Sequence, residues 1–310
     1  MPRWDDVCAR REGARRREHG AKILERILPL VGSFRDQIVL VTGASSGIGK
    51  QTALTLAQQG AAVALMARRQ GLLEQLGDEI EASGGRALIA PADVTDAGSV
   101  RSAVRRIQRR LGRIDIVVNN AGILRPAVVE KLKAPDLDAM LRVNVFGALF
   151  VMQAVLPLMR QQHAGTIINV ASLAGRRGVS PIGGYCATKF ALVGLTEALR
   201  VELDGTHIHV GLVMPGVVDT PMAESINLNR DLPSWPAFLN MPPEWVVAAI
   251  LLATHFKLCE VSVPPGAATI ELLGALTPSF SDTLIRWSSA AQRLLAGGGS
   301  KANLPGTRAH

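Results

Sequence analysis

Short apolar runs rich in β-branched residues alternate along the chain with longer stretches whose apolar positions recur at helical spacing. The runs at 38–41, 62–66, 87–90, 114–118, 166–170 and 207–213 predict strands, and the stretches 49–59, 99–111, 136–161 and 185–203 predict helices between them. Repeated strand–helix alternation predicts a parallel sheet covered by helices on both faces; the unbroken apolar segment Ile116, Val117, Val118 is what burial on both faces requires. The expected fold class is therefore α/β, a single doubly wound parallel sheet over residues 37–265, with helical extensions at 1–36 and 266–310. In the first extension Ile23, Leu24, Ile27, Leu28 and Val31 fall at helical spacing behind a basic arm. In the second, Phe280, Leu284, Trp287, Ala291 and Leu294 do the same, ahead of Gly297, Gly298, Gly299 and a polar tail expected to be disordered. Each amphipathic helix is expected to pack against the body, with a second subunit or a membrane surface as the alternative.

Composition narrows the classes. The chain has 310 residues, 48% of them hydrophobic, and a mean hydropathy of +0.22, enough apolar side chain for a sizeable core. Much of the net charge of +8 sits at Arg3, Arg10, Arg11, Arg15, Arg16 and Arg17, interleaved with Asp5, Asp6, Glu12 and Glu18. That mixture reads as a solvated arm and not as a nucleic-acid contact. Cys8, Cys186 and Cys259 show no metal spacing and leave one over from any pair, which fits a reducing compartment. The histidines form no ligand pattern, no metal is expected, and His207 and His209 are expected to face water. No apolar run is read as reaching transmembrane length, and the expectation is a cytoplasmic protein with peripheral membrane contact open.

The strongest chemical signal follows the first strand: Thr42-Gly43-Ala44-Ser45-Ser46-Gly47-Ile48-Gly49, leading into a helix. Gly43 permits the tight turn off the strand, Gly47 lets backbone approach a pyrophosphate, and Gly49 lets helix and sheet pack closely. The phosphate then rests on unpaired amides at the positive end of the helix. An isolated glycine cluster means little; one between a buried strand and an amphipathic helix is specific.

This spacing resembles that of the short-chain dehydrogenase/reductase family. Further motifs stand in the family's order from about 37 to 222: Asn119-Asn120-Ala121-Gly122, Asn144, Ser172, Tyr185-Cys186-Ala187-Thr188-Lys189 and Pro215-Gly216. The resemblance implies a Rossmann-type sheet and a nicotinamide cofactor. It places Asp93 on the adenine with the Val94 backbone beside it, Asn119 and Gly122 over the adenosine ribose, and Ala121 among the cofactor-binding residues. It puts Lys189 on the nicotinamide ribose, Tyr185 beside it, Thr220 on the carboxamide, and Pro215, Gly216 and Val218 along the same cleft. The second strand ends Leu65-Met66-Ala67, without the acid that bonds a ribose 2′-hydroxyl, and Arg68 and Arg69 follow, so NADP(H) is favoured over NAD(H).

Tyr185 and Lys189, four apart on a predicted helix, point to one face. A phenol titrates near ~10, and a neighbouring cation, helped by the charge of an oxidised nicotinamide, is expected to lower that value until the tyrosine can act as general acid or base. Ser172 follows a buried strand and can donate to a substrate oxygen; no histidine stands near it to make it a nucleophile. Asn144 interrupts an apolar helix face, which calls for a structural bond to backbone; the family resemblance implies a second, compatible role, holding a water that relays protons through Lys189. Cys186 is expected to pack as a small hydrophobe. The apolar segment 223–241, where the family places a lid, suits a hydrophobic ketone, aldehyde or acyl group, or simply packs shut. The long ending resembles family members acting on lipid-like or steroid-like carbonyls. A homo-oligomer is expected, a dimer before a tetramer. Epimerisation or dehydration on the same scaffold, and a non-catalytic nucleotide-binding protein, are the alternatives.

Overall fold

The computed structural model describes Glu18, residues 20–223 and residues 240–267. The basic arm, most of the lid segment, the helix expected at 280–295 and the polar tail lie outside the described residues. The strands are β1 (Ile38–Thr42), β2 (Ala62–Met66), β3 (Arg86–Ile89), β4 (Ile116–Asn119), β5 (Gly165–Val170), β6 (Ile208–Pro215) and β7 (Glu260–Val263). The helices are α1 (residues 20–31), α2 (Gly47–Gln58), α3 (Gln70–Ala82), α4 (Ala97–Leu111), α5 (Ala134–Leu141), α6 (Gly147–Gln162), α7 (Gly183–Glu202) and α8 (Pro243–His255).

All seven strands run parallel in the order β3-β2-β1-β4-β5-β6-β7, the doubly wound, Rossmann-like sheet the alternation predicts. Successive strand residues divide between two apolar layers. Val39, Val41, Val63, Leu65, Val118 and Ile168 face α2, α3 and α8, whereas Leu40, Ala64, Met66, Val117 and Ile167 face α4 and α6. The direction of winding reverses between β1 and β4, so a crevice opens at their carboxyl ends, where sheets of this kind bind ligands.

Helix α1 packs into the first of these layers. Leu24, Val31 and the following Phe34 are buried there, with Ile23, Ile27 and Leu28 against them. The amide of Phe34 donates to the Gln59 carbonyl at the end of α2, 2.9 Å away.

Several boundaries differ from expectation for identifiable reasons. β4 starts at Ile116 because the backbone of Ile114 bonds the Gln162 side chain, which accepts from its amide at 3.1 Å and donates to its carbonyl at 2.9 Å. The helix expected at 136–161 is interrupted by a π-turn, Arg142–Phe146. The stretch Ala134–Gln162 is also long and apolar enough to cross a membrane, contrary to the sequence reading. Met140, Val145, Val151, Val155 and Met159 bury one side of it in this domain. His207 is exposed as expected, but His209 is half-buried, its Nε2 3.2 Å from the Leu258 carbonyl. Burial, then the nearby Lys257, lower its pKa. β7, an edge strand, was not anticipated.

Leu24→Ala should destabilise the protein by about 2–3 kcal/mol, the lower part of the range for deleting a buried leucine side chain. Urea denaturation measures this, and an unchanged midpoint would mean that α1 contributes no anchorage.

Candidate active site

The glycine loop leaves β1 at the crevice. Gly43 and Gly47 have φ of +66° and +54°, a left-handed backbone that side chains rarely adopt. A Cβ on Gly43 would come within 2.9 Å of the Ala121 Cα, and one on Gly49 would strike the Gly43 carbonyl. A Cβ on Gly47 would approach the Thr220 methyl at 3.3 Å, so the loop faces the segment after β6. Ser46 is the N-cap of α2 but its side chain caps nothing, and no acid stands in the first turn. These features fit a dinucleotide's pyrophosphate: close backbone approach and helix amides without a side-chain cap.

Thr42, the last residue of β1, ties this loop to the next motif. Its Oγ1 accepts from the amides of Asn120 and Ala121, each at 3.0 Å, while Asn120 Nδ2 donates to the Thr42 carbonyl at 3.1 Å. Neither role was singled out in the sequence, although a hydroxyl at a buried strand end is a signal for such a bond. Asn119 turns inward instead: it is buried, and its Nδ2 donates to Asn169 Oδ1 at 2.9 Å. Asp93 is half-buried and its Oδ1 accepts from the amide and hydroxyl of Thr95, at 2.9 and 2.8 Å; Val94 is buried beside Gly147.

Of the two arginines after β2, Arg69 reaches the loop. Its Nη2 donates to Ser45 Oγ at 2.9 Å and to Ser46 Oγ at 3.2 Å. Arg68 is exposed. No carboxylate ends β2, where Met66 is buried and Ala67 follows.

The acid–base candidates converge beside this cleft. Lys189 is 4% exposed; its Nζ donates to the Val170 carbonyl at 2.9 Å and lies 5.5 Å from the Tyr185 ring centroid. Burial lowers its pKa to about 8. Tyr185 is 8% exposed and sits in an apolar cluster with Met140, Ala174, Ile182 and Cys186. Burial pushes its phenol up, and a hydrogen bond with Ser172 pulls the other way without prevailing. This differs from the expected lowering because the cost of enclosing a phenolate in this apolar cluster outweighs the favourable contacts. Ser172 Oγ also donates to the Pro215 carbonyl at 3.2 Å and accepts from the Ala174 amide at 3.1 Å.

Asn144, in the π-turn, is buried. It accepts from the Ile123 amide at 2.8 Å and donates to the Ile123 carbonyl and Thr188 Oγ1, both at 2.9 Å. The structural bond is thus present, and Gly122 lies against this group: its Cβ would be 3.4 Å from Asn144 Oδ1 and 3.9 Å from Lys189 Nζ. Cys186 is buried, with its Sγ accepting from the Val179 amide at 3.3 Å, and burial raises its pKa; it packs as expected. Gly216 donates to the Val263 carbonyl at 2.8 Å, Val218 is buried beside Met241, and Thr220 Oγ1 donates to the Val218 carbonyl at 3.3 Å. Among the described residues no group of histidine, cysteine and acidic side chains could hold a metal.

Residues 37–231 match the short chain dehydrogenase family. A 3-oxoacyl-(acyl-carrier-protein) reductase of Thermotoga maritima is 39% identical over 190 residues, 61% of this chain and 77% of that protein. A ketoacyl reductase of a Nostoc species is 31% identical over 255 residues, covering 80% of this chain and 88% of the relative. The crystal structure of a short-chain type dehydrogenase/reductase from Mycobacterium marinum superposes with a TM-score of 0.71 at 33% identity, over 78% of this chain and 98% of that one.

The buried Lys189 has a consequence for stability. Its pKa falls from 10.5 in water to about 8 in the fold, so between these values the unfolded chain binds more protons and stability rises with pH. Below about pH 8 the folded protein carries the whole cost of a buried ammonium, on the order of 3 kcal/mol. Lys189→Met should therefore melt higher than the wild type at pH 7 without cofactor, with the gap closing toward pH 10. A lower melting temperature for the variant at pH 7 would contradict this.

Proposed function

This chain belongs to the short-chain dehydrogenase/reductase family of NAD(P)-dependent oxidoreductases, and we propose that it interconverts a carbonyl and a secondary alcohol on a hydrophobic substrate, using NADP(H) and Tyr185 as general acid and base. The observation that carries this reading is the convergence of Ser172, Tyr185 and Lys189 beside the glycine loop, at the carboxyl ends of the central strands.

A nicotinamide bound along the loop supplies or accepts the hydride. Tyr185 moves the proton at its Oη, giving it to the carbonyl oxygen in reduction and taking it from the hydroxyl in oxidation. Burial raises the phenol's pKa, so the tyrosine holds its proton until positive charge from Lys189 and the bound cofactor would stabilise the phenolate. Ser172 Oγ, whose hydrogen rests on the Pro215 carbonyl, would turn it to the substrate oxygen as charge develops. Lys189 holds the nicotinamide ribose and supplies positive potential when the phenolate forms. Asn144 keeps the Ile123 backbone and Thr188 in place, and a water beside it would carry protons outward through Lys189.

Two observations favour NADP(H). A guanidinium already lies over Ser45 and Ser46, and the end of β2 has no carboxylate to repel a 2′-phosphate. The apolar surroundings of Tyr185, together with Leu124, Leu132 and Val179, support a hydrophobic substrate. The ketoacyl reductases among its relatives point to a ketone within an acyl chain. Ala187, Phe190, Gly194, Ala198 and Val201 leave an uncharged stripe on the outside of α7, an area a second copy of the chain would cover, and we place this homo-oligomeric enzyme in the cytoplasm.

Tyr185→Phe keeps the ring and its packing and removes the transferable proton. NADPH binding should persist while turnover falls by at least ~10²–10⁴-fold; turnover near the wild-type value would end the proposed mechanism. NADPH should exceed NADH by ~10- to 10³-fold in kcat/KM, the equivalent of one or two charge-assisted hydrogen bonds. Arg69→Ala should lose most of that gap by slowing the NADPH reaction alone, and equal use of both cofactors by the wild type would refute the assignment.

A further inference from the structure

Helix α4 carries Arg101, Arg105, Arg106, Arg109 and Arg110 on its solvent side, all exposed, and no acidic residue among its 15 positions. Its other side, Val100, Ala103, Val104 and Ile107, is buried in the core. Among the described residues none of the five guanidiniums forms an ion pair with a carboxylate. Arg105 makes only a 3.4 Å contact with Ser102 Oγ. The acid that precedes the helix, the N-cap Asp96, is engaged by the Gly98 amide at 2.7 Å.

This arrangement works against the helix. Arg101, Arg105 and Arg109 form one row at four-residue spacing, and Arg106 and Arg110 another, so like charges oppose one another along both. Arg109 and Arg110 gain from the negative end of the helix dipole, but the three before them do not. A merely solvated face would be expected to mix signs. The positive surface also continues onto α6. The pair of hydrogen bonds between Gln162 and the backbone of Ile114 holds the end of α6 against the connection leaving α4, and exposed Arg160 and His163 lie at that end. Arg113, in the same connection, is neutralised by Asp115.

We propose that this face of α4 is a docking surface for an anionic lipid membrane. The exposed rows hold charge but no aromatic ring on which a base could stack. They form the outside of a rod about 22 Å long, not a groove shaped for a folded partner. Charge of one sign spread over a convex face is what a plane of acidic headgroups requires. Because the apolar side of α4 is used by the core, the helix lies on the membrane and does not enter it. Attachment is therefore electrostatic, reversible and weakened by salt.

Flotation of the full chain with vesicles tests this. The protein should float with phosphatidylcholine mixed two to one with phosphatidylserine, should stay behind with phosphatidylcholine alone, and should be released by high salt. Each arginine near an acidic surface changes partitioning about fivefold. The combined variant Arg105→Gln, Arg106→Gln, Arg109→Gln should thus lower partitioning by about two orders of magnitude, with NADPH turnover kept and a melting temperature no lower than the wild type's. A control variant, Arg15→Gln, Arg16→Gln, Arg17→Gln, should still float. Flotation that survives the α4 variant, or that disappears in the control, overturns the proposal. So does a failure to float with the phosphatidylserine-containing vesicles, including the case in which the chain instead binds duplex RNA and the α4 variant does not.

Discussion

An ammonium group enclosed by protein organises the reactive end of this molecule. The Lys189 Nζ has one protein hydrogen-bond partner among the described residues, the carbonyl of Val170 at the last position of β5. Such a group is tolerated only where helix and strand are held in strict register, since any slip would leave a charge unpaired in apolar surroundings. The register is reinforced one residue earlier. Asn169 Nδ2 donates to Thr196 Oγ1 at 2.9 Å, Thr196 in turn donates to the Leu192 carbonyl, and Asn169 Oδ1 accepts from Asn119 on β4. Thr196 lies seven residues beyond Lys189, on the same face of α7. Two adjacent residues of β5 thus grip one face of α7 at two points, and the proposed acid–base pair inherits its position from that grip.

The cleft opposite is held by smaller groups. One hydroxyl, that of Thr42, accepts two successive amides and thereby joins the glycine loop to the turn at 119–122. Gly122 then stands against Asn144 and Lys189. The cofactor side and the proton-transfer side are therefore connected through backbone, with no long side chain between them whose rotation could uncouple them.

How much of this is visible in the chain itself depends on the range of the interaction. The sheet is legible because strands buried on both faces read as unbroken apolar runs, and the glycine loop because its residues act through their own backbone. β7 escapes notice: Glu260-Val261-Ser262-Val263 is short, sits at an edge and mixes polar with apolar residues. The inward turn of Asn119 is invisible because its partner, Asn169, is 50 residues away on another strand. The spacing of Tyr185 and Lys189 announces that the two share a face, but not that both are enclosed; enclosure reverses the direction in which the phenol titrates.

The π-turn at Arg142–Phe146 ties the site to chain length as well as to residue identity. A π-turn is a helix holding one residue more than its hydrogen bonding ordinarily accommodates. Removing any one residue there would restore ordinary winding and erase the local bulge that presents Asn144. Asn144 would leave the Ile123 backbone and Thr188, and a neighbouring side chain would take its place. Descendants of this chain can therefore exchange many residues along α5 and α6, but a gain or loss of one residue in that turn would be a change of architecture.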